Sequence, residues 1–121
     1  MTGFNSLLNV TFSGFEEGRY WIELEAGEHH VHEQGFVHGG VILSLLDIAM
    51  SRAARHGRPK DAYLPTIELT ASFLRPLSPG RVRAWGMIRQ QGRSLCRIEG
   101  MVLDDKGRSC ASGRATFMPQ S

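Results

Sequence analysis

The sequence predicts an α+β fold, with one long helix lying across a mainly antiparallel sheet of about five to six strands. Three observations carry this. One segment, Gly40 to about Arg55, spaces its apolar residues as a helix does; five other stretches read as strands between glycine-bearing turns; and the last two strands share a face made of small residues. At 121 residues and 41% hydrophobic content the chain can build one real core, so a single domain over 1–121 is expected.

The elements follow in order. After a short N-terminal lead, "GRYWIELEA" (18–26) alternates Tyr20, Ile22 and Leu24 with Trp21, Glu23 and Glu25, the period of a half-buried strand. A polar, histidine-rich loop comes next. From Gly40, the residues Val41, Ile42, Leu45, Leu46, Ile48, Ala49, Ala53 and Ala54 leave only a narrow polar stripe on a helix. "HGRP" (56–59) ends it, with Gly57 suited to a left-handed cap and Pro59 unable to continue. Four strands remain, "PTIELTASFLRP" (65–76), "RVRAWGMIRQ" (81–90), "SLCRIEGMVL" (94–103) and "RSCASGRATFM" (108–118), separated by "LSPG", "QGR" and "DDKG".

The last hairpin says where the helix goes. If "DDKG" (104–107) is a four-residue turn, Cys96 faces Ala115 and Cys110 faces Met101, so the two cysteines are not cross-strand partners and are expected as reduced core thiols. One face then carries Cys96, Ile98, Gly100 and Val102 beside Ser109, Ala111, Gly113 and Ala115. Side chains this small let a helix axis come close to a sheet, with a helix about 25 Å long at 1.5 Å per residue.

Charge narrows the function classes. Net charge is +2, yet twelve arginines stand against two lysines, which suits phosphate and carboxylate recognition and also suits a GC-rich genome. There is no basic tail or nucleic-acid module. The apolar run is broken by Asp47 well short of the roughly 20 residues that cross a bilayer, and the first residues show no charged segment followed by an apolar stretch. A cytoplasmic protein without membrane or nucleic-acid partners is expected.

Chemistry concentrates in "HHVHEQGFVHGGVILSLLDIAMSRAA" (29–54). At His38-Gly39-Gly40 the backbone lacks Cβ atoms where the first helical N–H groups have no internal partner, so these three residues make either an anion-holding helix start or a flexible leading loop. Ser44, Asp47 and Ser51 fall on one stripe at 100° per residue. Asp47 is either a carboxylate whose burial lifts its pKa toward that of a general base, or a residue on a water-facing stripe. His29, His30, His32, Glu33 and His38 lack the spacing of a helical metal motif, so no metal is expected. Nucleophile elbows and phosphate-binding glycine loops are absent too.

"GFVHGGVILSLLDIAMSRAA" resembles the signature of hotdog-fold acyl-CoA thioesterases of the phenylacetic-acid-pathway (PaaI-like) type, with a G-x-x-H-G-G start and an acidic residue nine positions after the histidine, here Asp47. "TIELTASFLRPLSPG" and "GRSLCRIEGMVLDDKGRSCASGRATF" are similar to the family's next strand and closing hairpin, so the likeness spans roughly residues 18–118. The resemblance implies a hotdog fold and hydrolysis of acyl-CoA, with no cofactor. It implies that the N–H of Gly39, joined by Gly40, holds the oxyanion beside His38, and that Asp47 activates water or attacks directly, supplied across a homodimer that commonly forms a homotetramer. Thr66 stands where relatives place a water-holding Ser or Thr. Arg93, Ser94 and Arg75 stand where CoA is met, and Phe36 and Val37 where the acyl group is lined. His32 departs from the family, which has an asparagine six residues before the motif histidine; it is a substitute hydrogen-bonding group, an additional acid or base, or a loop residue. A hotdog protein that binds acyl-CoA or aromatic ligands without turnover is the alternative function, and a dehydratase is disfavoured by the missing D-x-N-P-x-H motif.

Overall fold

The apolar period from Gly40 onward becomes a 16-residue helix. The computed structural model describes residues 3–120, and in it the elements run α1 (Gly3–Leu8), β1 (Thr11–Glu16), β2 (Arg19–Ala26), α2 (Gly39–Ala54), β3 (Thr66–Phe73), β4 (Gly80–Gln91), β5 (Cys96–Leu103) and β6 (Ser109–Phe117). Helix α2 is about 24 Å long at 1.5 Å per residue. Its buried side is Ile42, Leu45, Leu46, Ile48, Ala49, Met50, Ala53 and Ala54. Gly57 has φ 75°, the left-handed backbone expected after the helix.

The six strands form one antiparallel sheet in the order β1-β2-β4-β5-β6-β3. Two elements lie where the sequence reads only a lead. Strand β1 pairs with β2 through a tight turn whose residues Glu17 and Gly18 have φ 53° and 80°, the backbone that matches strand twist in a two-residue hairpin. Helix α1 is six residues long and anchors by Leu8, which is 7% exposed. Strand β3, reached from the end of α2, takes the far edge and pairs only with β6.

Small residues let the helix settle onto the sheet. Gly86, Gly100 and Gly113 are direct cross-strand partners on β4, β5 and β6, and so form a lane across three strands. A Cβ at Gly86 would lie 2.5 Å from the carbonyl oxygen of Ala49; one at Gly100 would lie 2.9 Å from Cγ of Met50. Helix α2 therefore rests backbone to backbone on β4. Gly100 and Gly113 are expected from the sequence, and Gly86 is the added member.

The register of the last hairpin corrects the sequence expectation. Cys96 faces Phe117, and Ile98 faces Ala115, two residues away from the pairing derived from a four-residue turn. The turn closes instead on Asp104 and Arg108, whose backbones are joined at 3.0 Å, and the ladder is irregular between Val102 and Leu103, which leaves Cys110 unpaired. A two-residue shift preserves the side-chain face, so the small-residue floor survives from Ala111 to Ala115, while the irregularity turns Ser109, now opposite Leu103, off that face. Both cysteines are buried and free, and burial pushes each thiol's pKa up. Among the described residues no helix is long and apolar enough to cross a membrane.

Candidate active site

The loop before α2 is tied down by its own backbone. Val31 bridges Val37, the His32 N–H donates to the Phe36 carbonyl at 2.9 Å, and the Gly35 N–H donates back to the His32 carbonyl at 2.9 Å. Gly35 supplies the positive φ, 89°, that so tight a turn needs. Val37 is 4% exposed and donates its N–H to the Leu77 carbonyl at 2.8 Å, which pins the loop to the β3–β4 connection. The His32 and Phe36 rings end 6.2 Å apart.

The start of α2 is capped by a histidine. The Gly40 N–H donates to Nδ1 of His38 at 2.8 Å, and the Val41 and Ile42 N–H groups reach the His38 carbonyl at 2.9 and 3.2 Å. Three of the first helical amides are thus engaged, and Gly39 N–H is left without a partner among the described residues. A Cβ at Gly40 would lie 3.1 Å from that imidazole nitrogen, so the second glycine makes room for the cap. The pair of glycines expected to share an oxyanion therefore divides: Gly39 keeps a free donor, Gly40 serves its neighbour.

Two cavities flank this helix start. One, of about 460 Å³, is lined by His32, Phe36, Val37, Gly39, Phe73 and Arg75, together with Ile42, Leu74, Pro76 and Leu77. Five expected site residues thus share one pocket, with Arg75 its one charged group. His38 and Gly40 face the other, of about 710 Å³, whose walls include Phe4, Leu7, Leu8 and Val41. Nδ1 of His32 accepts from the Gln34 N–H at 3.0 Å, so its neutral ring carries the proton on Nε2 and offers a donor.

Asp47 and Thr66 form a second group. The Thr66 hydroxyl donates to Oδ1 of Asp47 at 2.8 Å, which aims the carboxylate, and Asp47 is half-buried with no ion pair among the described residues. Asp47 stands eight residues after Gly39 on one straight helix, about 12 Å along the axis. On one chain the two groups therefore stand about two turns apart along the helix. Arg93 and Ser94 lie in the β4–β5 connection, exposed, at the sheet end where the row Cys96, Phe117, Thr66 runs to the β3 edge. Arg75, by contrast, lines the same cavity as Gly39.

The histidine cluster is distributed rather than gathered. His30 accepts from the Gly27 N–H on Nδ1 and meets the Leu8 carbonyl on Nε2, at 3.0 and 2.9 Å, and His29 stands exposed beside Glu28. Among the described residues no three of His, Cys, Asp or Glu come together as metal ligands. Phe73 and Leu74, both exposed by more than half, line the Gly39 cavity, where the sequence marks them only as strand residues; the signal is their place just before the Arg75-Pro76 break.

Comparison with known proteins gives the family. Residues 34–111 match the family model of the Thioesterase superfamily. The proofreading thioesterase EntH of Klebsiella pneumoniae is 28% identical over 107 residues, covering 88% of this chain and 78% of the relative. Among solved structures, a Bacillus halodurans protein solved with CoA superposes with a TM-score of 0.89 at 29% identity over 97% of this chain and 78% of that one. A phenylacetic-acid-degradation-related protein of Ralstonia eutropha JMP134 gives a TM-score of 0.86 at 25% identity over 94% and 87%. The chain belongs to the thioesterase superfamily, as a PaaI-like, hotdog-fold thioester hydrolase.

Proposed function

We propose that the protein hydrolyses acyl-CoA, R–CO–S–CoA plus water giving R–COOH and free CoA thiol, in a homodimer whose two helices α2 jointly build each site. The carrying observation is the single unclaimed amide of the helix start, Gly39 N–H, opening on a largely apolar cavity that ends in Arg75. The thioester carbonyl oxygen accepts from Gly39 N–H, and the positive end of the helix dipole favours the charge that grows there. Nε2–H of His32 supplies a second donor, the role an amide side chain fills in relatives.

Asp47 of the partner subunit takes a proton from water as it attacks the carbonyl carbon; the tetrahedral oxyanion then collapses, the C–S bond breaks, and the proton passes from Asp47 to the departing thiolate, which restores the carboxylate. The 12 Å spacing on one helix supports this division between subunits, and the Thr66 hydroxyl holds the carboxylate for it. Arg75 on one chain and Arg93 with Ser94 on the other suit the phosphates of CoA, a reading supported by the Bacillus halodurans relative solved with CoA.

The test is free-thiol release from acetyl-, decanoyl- and benzoyl-CoA. Asp47→Asn is expected to lower kcat by about 10²–10⁴-fold, and His32→Asn to keep most of it. Full activity in Asp47→Asn overturns the base assignment. Thermal shifts on ligand addition without thiol release from any of the three substrates overturn hydrolysis itself and leave the binding protein.

A further inference from the structure

The larger cavity beside the helix start has no part in the mechanism above. It spans about 710 Å³ between α1 and the first turn of α2, and its walls are Phe4, Leu7, Leu8, Gly40 and Val41 with the polar Asn9, His29, His30 and His38. That volume is in the range of ligand pockets. It contains no Lys, Arg, Asp or Glu. Two of its three histidines are largely spent: both ring nitrogens of His30 are bonded and Nδ1 of His38 accepts from the Gly40 N–H, while His29 stands exposed at the mouth beside Glu28. What remains is a mainly apolar, uncharged chamber with the Asn9 amide and the His29 and His38 imidazoles at its edge.

Helix α1 closes that chamber while leaving its own apolar side uncovered. Leu7 is 82% exposed and Phe4 58%, although Leu8 beside them is buried. Six residues are too few to hold a helix alone, so α1 depends on its anchors. Those are Leu8 in the core and the hydrogen bond from the His30 ring to the Leu8 carbonyl. The backbone of His30 in turn accepts from the His38 N–H at 2.8 Å. One residue therefore ties the wall of the chamber to the cap of the active helix.

We propose that this chamber receives the acyl group of the substrate, and that Phe4 and Leu7 of α1 determine which acyl chains are accepted. The proposal rests on the acyl-CoA reading above. Adjacent residues face the two cavities, Gly39 the one that ends in Arg75 and Gly40 the other, so a thioester held at Gly39 N–H can direct CoA toward the charged side and its acyl chain toward the uncharged one. The chemistry selected is an unsubstituted, uncharged acyl chain of medium length, with no carboxylate or amine along it. His30 is a positioning residue that holds the wall in place.

The experiment measures kcat/KM for acetyl-, hexanoyl-, decanoyl- and hexadecanoyl-CoA in the wild type, Leu7→Asp and Phe4→Ala. Decanoic acid binding by calorimetry is measured in the same proteins. Leu7 is exposed and outside the core, so Leu7→Asp is expected to fold as the wild type does. The decanoyl-to-acetyl ratio of kcat/KM is expected to fall about tenfold or more in Leu7→Asp, since a charge then meets the chain. Decanoate binding is expected to weaken alongside. An unchanged ratio in both variants, or a wild type that turns over short chains only, overturns the chamber while leaving hydrolysis intact. Decanoate binding that Leu7→Asp abolishes, in a protein releasing no thiol, overturns hydrolysis and keeps the chamber. Neither turnover nor decanoate binding overturns both.

Discussion

Replacing Gly39 by proline exchanges the N–H of the proposed oxyanion site for the N–CH2 of the ring, which removes the donor and occupies its direction. The first helical position is where proline is best accepted, because its missing N–H has no intrahelical acceptor. The residue before it, His38, already has φ −62° and ψ 138°, the backbone that a following proline demands. An added Cβ would lie 3.9 Å from the Phe73 ring, an ordinary contact. The neighbouring amides cannot compensate, since Gly40 donates to His38 Nδ1 and Val41 and Ile42 to its carbonyl. Losing one such donor costs about 10²–10³ in kcat, roughly 2.7–4 kcal/mol at the transition state. Stability is expected to stay within about 0.5 kcal/mol; with an unfolding entropy of about 2.1 cal/mol/K for each of 121 residues, that is about 2 °C in Tm. Thiol release and thermal melts at one protein concentration read both quantities, with Gly39→Ala as the control that keeps the N–H. A folded Gly39→Pro within threefold of the wild-type kcat refutes the assignment.

Other consequences are as specific. Gly86→Ala must move the Ala49 carbonyl from 2.5 Å to an ordinary 3.4 Å, about 0.9 Å of backbone, whereas Gly113→Ala meets only the ends of Leu46 and Met50. Urea unfolding should show about 3 kcal/mol lost for the first and under about 1 kcal/mol for the second. Thr66→Val frees the Asp47 carboxylate and should lower kcat about tenfold with little change in the melt, because Thr66 is exposed. Gly40→Ala crowds the His38 imidazole and should cost about 0.5–2 kcal/mol as the cap is lost, readable in the same unfolding assay. Burial works against ionisation of Asp104, but the N–H groups of Arg108 and Lys106 and the Arg108 guanidinium outweigh it and hold its pKa below the ordinary 3.8. Its contribution is therefore full above that ordinary value and fades as pH falls through the lower folded one. The urea midpoint of Asp104→Asn should show less acid dependence than the wild type.

The helix was legible because its apolar period is unbroken from Val41 to Ala54, and its end because Gly57 and Pro59 each forbid continuation. The face of the closing hairpin was legible and its register was not: parity survives a two-residue slip, while the turn closing on Asp104 and Arg108 and the unpaired Cys110 are set by hydrogen bonds that no residue pattern announces. Helix α1 and β1 escaped because six residues each give too little period. At the site, residue types pointed to Gly39 and Asp47. The cap by His38 did not show in the sequence, since histidine is a rare N-cap, and it alone explains why the second glycine is needed.

The 12 Å between Gly39 and Asp47 has an outcome at the level of stoichiometry. In a dimer where each helix lends its first amide to one site and its carboxylate to the other, every subunit is half of two machines. Mixing Gly39→Pro chains with Asp47→Asn chains, each inert alone, then yields hybrids in which both lesions fall in the same site and the second site is whole. Random reassortment of equal amounts makes half of all dimers hybrids, so two dead preparations together recover about a quarter of the wild-type sites.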